Sequence, residues 1–338
     1  GFRMKITIRE IARRAGVSTA TVSRIINGLG GYNDDTKEKV LAVIEETGYK
    51  GNASALKDYN HPKVDKLIGV LVPDLETDFY AKIISGLEEV ARKQGYSILI
   101  SNTGKEGKNT YEDINVLKKC IVSGIALVGT FLDEILYEKL ERTKIPYILI
   151  SSTSYKYQVP YIKVDSFQAA YAAVGYLLAQ GHTQIAMIAG TSKKGMSNRE
   201  MGYRKAMEDA GLTVKESRIS YGDFSFQSGK TCMKKLLDLD KEITAVFAAS
   251  DDMAIGAISA AYERGMSVPN ELSVIGYDNT KVAEMSYPPL TTIAQPLYEM
   301  GIEGMKILIK YIETHEKQSS VVMPFELIER KSAEAYNK

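Results

Sequence analysis

ITIREIARRAGVSTATVSRIIN, residues 6–27, reads as two short helices joined by a glycine turn. Thr7 stands three residues before Glu10, the spacing at which a hydroxyl and a carboxylate cap a helix start reciprocally. Ile8, Ile11, Ala12 and Ala15 fall on one helical face, and Gly16 supplies the turn. Ser18 is a second N-cap, opening a helix whose Val22, Ile25 and Ile26 point inward. Its outer face carries Thr19, Ala20, Ser23, Arg24 and Asn27. These groups are small or hydrogen-bonding and fit a major groove, and the one guanidinium can read guanine bidentately. An ordinary helical hairpin with a polar surface has no need of two caps, a glycine turn and a reading face together.

A third helix is predicted from the N-cap Asn33 through Val40, Val43 and Ile44 to Gly48, with Asp34 and Asp35 at its positive end. The stretch GNASALKDYNHPK, residues 51–63, has little apolar periodicity and reads as a linker or conditional helix. The formal net charge of the 338 residues is only +1, which excludes a generally basic coat for nucleic acid. A small positive excess over residues 1–62 confines expected phosphate contacts to the N-terminal part.

From Leu67 apolar runs alternate with amphipathic ones: LIGVLV (67–72), YSILIS (96–101), IALVG (125–129), PYILIS (146–151) and YIKVD (161–165). IAMIAG (185–190), AVFAAS (245–250) and LSVIGYD (272–278) continue the series. Short continuous apolar strands separated by helices predict parallel sheets covered on both faces. The length exceeds one such sheet, so two doubly wound subdomains are expected, with a ligand cleft between strand ends. Phe79, Thr191, Ser192, Arg199, Ser250, Asp251 and Asp278 lie at those ends or just beyond them. An arginine, carboxylates and an aromatic ring suit a polyhydroxylated ligand, hydroxyls meeting the polar groups and a ring packing on the apolar side of a sugar. The competing reading is that Asp251 and Asp278 cap the helices that follow them.

Enzyme signatures are lacking. GTSKKG (190–195) has the glycine spacing of a phosphate loop, but Met196 stands where the lysine is required. His61, His182 and His315 are scattered without metal-ligand spacing, and His182 reads as helping to cap a helix end. Cys120 and Cys232 are isolated thiols, expected to be free. No metal or cofactor site is expected. Neither a secretory signal nor an apolar run able to span a bilayer is found, so a cytoplasmic location without membrane contact is expected.

The N-terminal motif, DDTKEKVLAVIEETGYKGN, VPDLETDFYAKIISGLEEVARKQGY and GYLLAQGHTQIAMIAG resemble the LacI/GalR family of bacterial transcription regulators. NREMGYRKAMEDAG, SDDMAIGAI, LSVIGYDNT and PPLTTIAQP extend the resemblance over nearly the whole chain. It implies an α/β fold in which a three-helix helix-turn-helix head joins a periplasmic-binding-protein-like core of two doubly wound parallel-sheet subdomains. The expected divisions are 4–50 for the head, 51–64 for the hinge, 65–161 plus 294–321 for one core subdomain and 162–293 plus 322–334 for the other.

The resemblance also implies a homodimer on near-palindromic operator DNA. By position Thr19, Ala20 and Arg24 match base-reading residues, while Ser18, Thr21, Ser23 and Asn27 match backbone-positioning ones, with Thr7 at the first helix start. Phe79, Arg199, Asp251 and Asp278 match effector-pocket positions, and Asp165 and Ser250 are weaker matches. The hinge departs from the family pattern: Gly51 replaces a proline and Asp58 falls at the wedge-leucine position, so either Leu56 serves as a shifted wedge or the hinge contributes little. Thr77-Asp78 replaces the common Asn-Pro before Phe79. The expected function is transcriptional repression tuned by a small sugar or sugar-phosphate effector. The alternatives are a sugar-binding protein without DNA contacts, or a regulator answering a non-sugar metabolite or a protein corepressor.

Overall fold

The structure, a computed structural model, describes residues 6–26, 29–47, 49, 66–191 and 195–337. The expected hinge with Leu56, the end of the recognition helix at Asn27 and Ser192 lie outside the described residues. The chain divides at Lys66/Leu67 into two compact units.

In the first unit, α1 (Ile8–Ala15), α2 (Thr19–Ile26) and α3 (Asp34–Thr47) enclose a small core of Ile11, Ala12, Val22, Ile25 and Val40. Each start is capped as its sequence dictates. Thr7 Oγ1 accepts from Glu10 N at 3.4 Å, Ser18 Oγ from Thr21 N at 3.0 Å, and Asn33 Oδ1 from Thr36 N at 2.8 Å. The left-handed Gly16, φ 66°, closes α1. The reciprocal half of the first cap is diverted: the Glu10 carboxylate accepts from Arg13 Nη2 at 2.7 Å and Arg14 Nε at 2.9 Å. Those two arginines hold its carboxyl down at about 2.

The second unit contains two six-stranded sheets. The first sheet is parallel throughout, in the order β11-β5-β4-β3-β1-β2. These strands are β1 (Leu67–Val72), β2 (Ser97–Asn102), β3 (Gly124–Val128), β4 (Tyr147–Ile150), β5 (Tyr161–Val164) and β11 (Val321–Met323). The second has the order β12-β10-β9-β8-β6-β7 and is parallel except for the β10–β12 pair. Its strands are β6 (Ile185–Gly190), β7 (Ile219–Gly222), β8 (Ala245–Ala248), β9 (Ser273–Asp278), β10 (Thr291–Ala294) and β12 (Glu326–Ile328).

Alternation along each strand splits the apolar side chains between two helical layers. On β1, Ile68, Val70 and Val72 join one buried cluster while Leu71 joins another. Full burial of each such side chain stabilises the fold by about 1.5–3 kcal/mol. The helices of the first layer system are α4 (Asp78–Lys93), α5 (Thr110–Lys119), α6 (Glu134–Thr143) and α12 (Leu297–Thr314). The second sheet is covered by α7 (Ser166–Ala179), α8 (Asn198–Asp209), α9 (Phe226–Leu239) and α10 (Asp251–Glu263), and the short α11 (Lys281–Met285) follows β9.

The chain passes between the sheets after Val164, Ala294 and Met323. The divisions drawn from sequence would cut β5, β10 and β11 internally, because an apolar run does not declare which sheet it joins. Among the described residues, no helix is long and apolar enough to cross a membrane.

Candidate nucleic-acid interface and ligand cleft

In the head, the outer face of α2 carries Thr19, Ala20 and Arg24 as exposed residues. Ser18 and Thr21 are joined hydroxyl to hydroxyl at 2.8 Å at the helix start, and Ser23 is half-buried on the same helix. No acidic residue stands in the first turn of α2, whereas α1 has Glu10 and α3 has Asp34 and Asp35 there. Of the three head helices described, α2 is therefore the one whose positive end has no carboxylate in its first turn, a setting that favours a phosphate. Thr7 is exposed at the start of α1, where its side chain serves as the cap.

In the core, the carboxyl ends of the strands carry the polar groups. Arg199, in the first turn of α8, donates through Nη1 to the carbonyl of Ala249 at 2.5 Å. Its guanidinium carbon stands 3.9 Å from the centre of the Tyr277 ring and 5.9 Å from that of Phe224, and Nη2 is 3.9 Å from Asp278 Oδ1. A planar cation pressed on a buried ring is restrained in orientation. Asp278 is buried at the end of β9, receives a hydrogen bond from Gln295 Nε2 at 2.7 Å, and adopts φ 113°. Burial pushes its carboxyl up to about 7, with Asp251 and Asp252 adding to the rise and Arg199 opposing it.

Phe79 and Tyr80, in the first turn of α4, meet edge to face at 4.9 Å between ring centres. The Tyr80 hydroxyl is held above its ordinary range by burial and by the charges of Asp74 and Asp278, while Arg199 acts in the opposite sense. Tyr80 thus lies within the field of groups from the other subdomain. Phe224 follows β7 in a left-handed conformation, φ 69°, with its ring against the end of β6. A Cβ at Gly190 would stand 2.0 Å from Phe224 Cζ, so only glycine allows that seat.

The other residues expected at the cleft have the following surroundings. Asp251 is fully buried: Oδ1 accepts from Thr292 Oγ1 at 2.5 Å, and Oδ2 accepts from Thr280 N at 2.7 Å and Thr280 Oγ1 at 3.0 Å. Burial raises this carboxyl to about 6 against the lowering effect of those donors. It caps no helix; Ser250 does, accepting from Met253 N at 3.3 Å and donating to the carbonyl of Phe224 at 3.3 Å. Asp165 caps α7, accepting from Phe167 N and Gln168 N at 3.1 Å each. Thr191 is exposed beyond β6. His182 ties down the C-terminal segment rather than capping a helix, through Thr244 Oγ1 at 2.9 Å and the carbonyl of Glu334 at 3.0 Å.

Two sets of contacts join the subdomains across the cleft. Asp78 Oδ2 accepts from Lys281 N at 2.9 Å, and Lys82 Nζ donates to the carbonyl of Asn279 at 3.0 Å. Lys105 Nζ lies 3.1 Å from Asp223 Oδ2. The replacement of Asn-Pro by Thr77-Asp78 therefore supplies a carboxylate that reaches the neighbouring subdomain. Sequence reading did not single out Phe224, Tyr277 or Gln295. Their only signal was position just after, or at the end of, a strand, and ISYG is too short and too polar to announce β7.

Comparison with known proteins accords with this architecture. The family model described as bacterial regulatory proteins, lacI family, matches residues 7–52, and that of the periplasmic binding protein-like domain matches residues 174–333. The HTH-type transcriptional regulator DegA of Bacillus subtilis is 39% identical over 342 residues, covering 99% of this chain and 100% of that protein. The structure of the transcriptional regulator CelR–cellobiose complex superposes with a TM-score of 0.74 at 31% identity, covering 97% of this chain and 100% of that one. The lac repressor dimer bound to operator and the anti-inducer ONPF has a TM-score of 0.72 at 27% identity, covering 98% of this chain and 99% of that one.

Proposed function

The chain belongs to the lacI family of bacterial regulatory proteins, and we propose that it is a DNA-binding repressor whose operator affinity is set by a small carbohydrate-like effector in the core cleft. The observation that carries the effector reading is the floor of the cleft. There Arg199, pressed on Tyr277, presents fixed donors beside the Asp278 carboxyl, with Phe79, Tyr80 and Phe224 as rings nearby. Adjacent donor and acceptor groups match vicinal hydroxyls, and rings match the apolar side of a sugar. The likeness to a cellobiose-bound regulator supports the class of ligand.

We assign the cleft a binding role and no catalysis. Asp251 is occupied by Thr280 and Thr292, and one oxygen of Asp278 is held by Gln295, which supports the binding role. In the head, Thr19, Ala20 and Arg24 read base edges, and Ser18, Thr21, Ser23 and Asn27 hold the backbone, with Thr7 and Leu56 at the margins. Tyr262, Met285 and Tyr287 form an exposed apolar face around a groove with Ile255 and Ile258, which suits self-association into a homodimer. Action on operator DNA puts the protein in the bacterial cytoplasm.

Ligand in the cleft biases the relative orientation of the core subdomains, and coupling to operator is reciprocal. A thermal-shift screen against mono-, di- and phosphorylated sugars tests the reading: one sugar should raise the melting temperature in a concentration-dependent manner. Arg199→Ala should abolish that rise and the effector response while operator binding persists. A response that survives the substitution puts the effector elsewhere.

A further inference from the structure

The turn after α2 reads Leu29-Gly30-Gly31, and both glycines are left-handed, with φ of 66° and 81°. The turn is fastened to the helix end by a bond from Leu29 N to the carbonyl of Arg24 at 2.9 Å. The two glycines differ in what a side chain would meet. A Cβ on Gly30 would find nothing within 4 Å. One on Gly31 would stand 3.2 Å from Arg24 Nη1, 3.6 Å from Cζ and 4.0 Å from Nη2. The guanidinium group therefore lies against the bare backbone of Gly31, in the space that any other residue would fill.

We infer that Gly31 is a positioning residue for Arg24, a backbone shelf that orders the guanidinium before DNA arrives and so sharpens base discrimination. The inference rests on the reading of Arg24 as a base-contacting residue. The physical argument is one of preorganisation. A long exposed side chain loses most of its rotamer freedom when it is fixed on a base edge. Restricting it beforehand reduces that loss for the geometry the shelf allows, and for no other. Bidentate recognition of guanine depends on the angle of the guanidinium plane, so a displacement of a few tenths of an ångström at Nη1 falls on discrimination more than on general phosphate attraction.

The full chain is used to select preferred duplexes from a random-sequence DNA pool. Affinities are then measured for the selected duplex and its single-base variants. Arg24→Ala should reduce preference at one base pair per half-site by about tenfold or more. Gly31→Ala and Gly31→Asn should reduce preference at that same pair severalfold, asparagine serving because it tolerates left-handed backbone. Gly30→Ala meets a similar backbone penalty with no contact to Arg24, so any loss there should fall equally on every sequence. In an Arg24→Ala background, Gly31→Ala should no longer change the preference. Thermal melting of each variant checks that the head is folded.

A uniform loss across all base pairs for both Gly31 variants overturns the inference while leaving Arg24 as a reader. So does a Gly31 effect that persists without Arg24. An unchanged preference in Arg24→Ala itself removes the underlying reading and the inference with it.

Discussion

Asp278→Asn probes the electrostatics of the cleft floor. Burial raises the Asp278 carboxyl from its ordinary 3.8 to about 7. The folded value lies above the unfolded one, so the folded protein retains a proton that the unfolded chain releases. Stability tied to that proton is fully present below pH 3.8 and is lost as pH rises through 7. The difference of about three pKa units corresponds to about 4 kcal/mol by pH 8, and to less than about 2 kcal/mol at pH 5. Asparagine has nearly the same shape, cannot ionise, offers an oxygen to Gln295 Nε2 and tolerates the positive φ of this position. The variant should therefore exceed the parent in stability by an amount that grows by about 2–3 kcal/mol between pH 5 and pH 8. Urea unfolding of the core at the two pH values measures it. With 21 tyrosines and no tryptophan, tyrosine emission and circular dichroism are the natural signals. A difference that does not change with pH, or a variant less stable than the parent at pH 8, would refute the reasoning.

Asp251→Ala should lower core stability by about 3 kcal/mol or more, because the buried Thr280 amide and two hydroxyls lose their acceptor. An unchanged urea midpoint with loss of effector response alone would return Asp251 to the ligand site. Gly190→Ala should drive the Phe224 ring off the end of β6, costing about 1–3 kcal/mol through overpacking and weakening any ligand that stacks on that ring. Calorimetric titration with the effector found by the thermal screen checks the second effect, and an unaltered affinity would take Phe224 out of the binding surface.

Much of the fold is legible in local pattern. LIGVLV and IAMIAG coincide with β1 and β6, because a continuous apolar run bounded by turn residues has one favourable fate between two helical layers. β7 and β12 carry no such run, and that of β11 is only the three residues Val321–Met323. β11 and β12 pair at sheet edges, where few side chains need burial, and their strand state depends on neighbours distant in sequence. The cleft shows the same division. Asp251 and Asp278 are equivalent as strand-end carboxylates in the sequence. What separates them is tertiary: Thr280 and Thr292 arrive from 29 and 41 residues away to occupy Asp251, while Gln295 takes only one oxygen of Asp278. Likewise the Thr7/Glu10 spacing predicts a reciprocal cap, but arginines one turn on compete for the same carboxylate.

The segment from Asp278 to Lys281 joins these observations. Asp278 and Asn279 are consecutive non-glycine residues at positive φ, 113° and 56°, a conformation that persists only where its surroundings over-determine it. Gln295 holds the first residue, Lys82 and Arg330 the second, Asp251 the third and Asp78 the fourth. Adjacent amides are thus bonded to different bodies: Thr280 N–H to a carboxylate of its own subdomain, Lys281 N–H to one across the cleft. For solvent deuterium, these are two clocks one residue apart. The Lys281 amide is released whenever the subdomains part, whereas that of Thr280 waits until its own subdomain loosens. The ratio of the two exchange rates separates the parting of the core subdomains from unfolding within a single peptide of the chain.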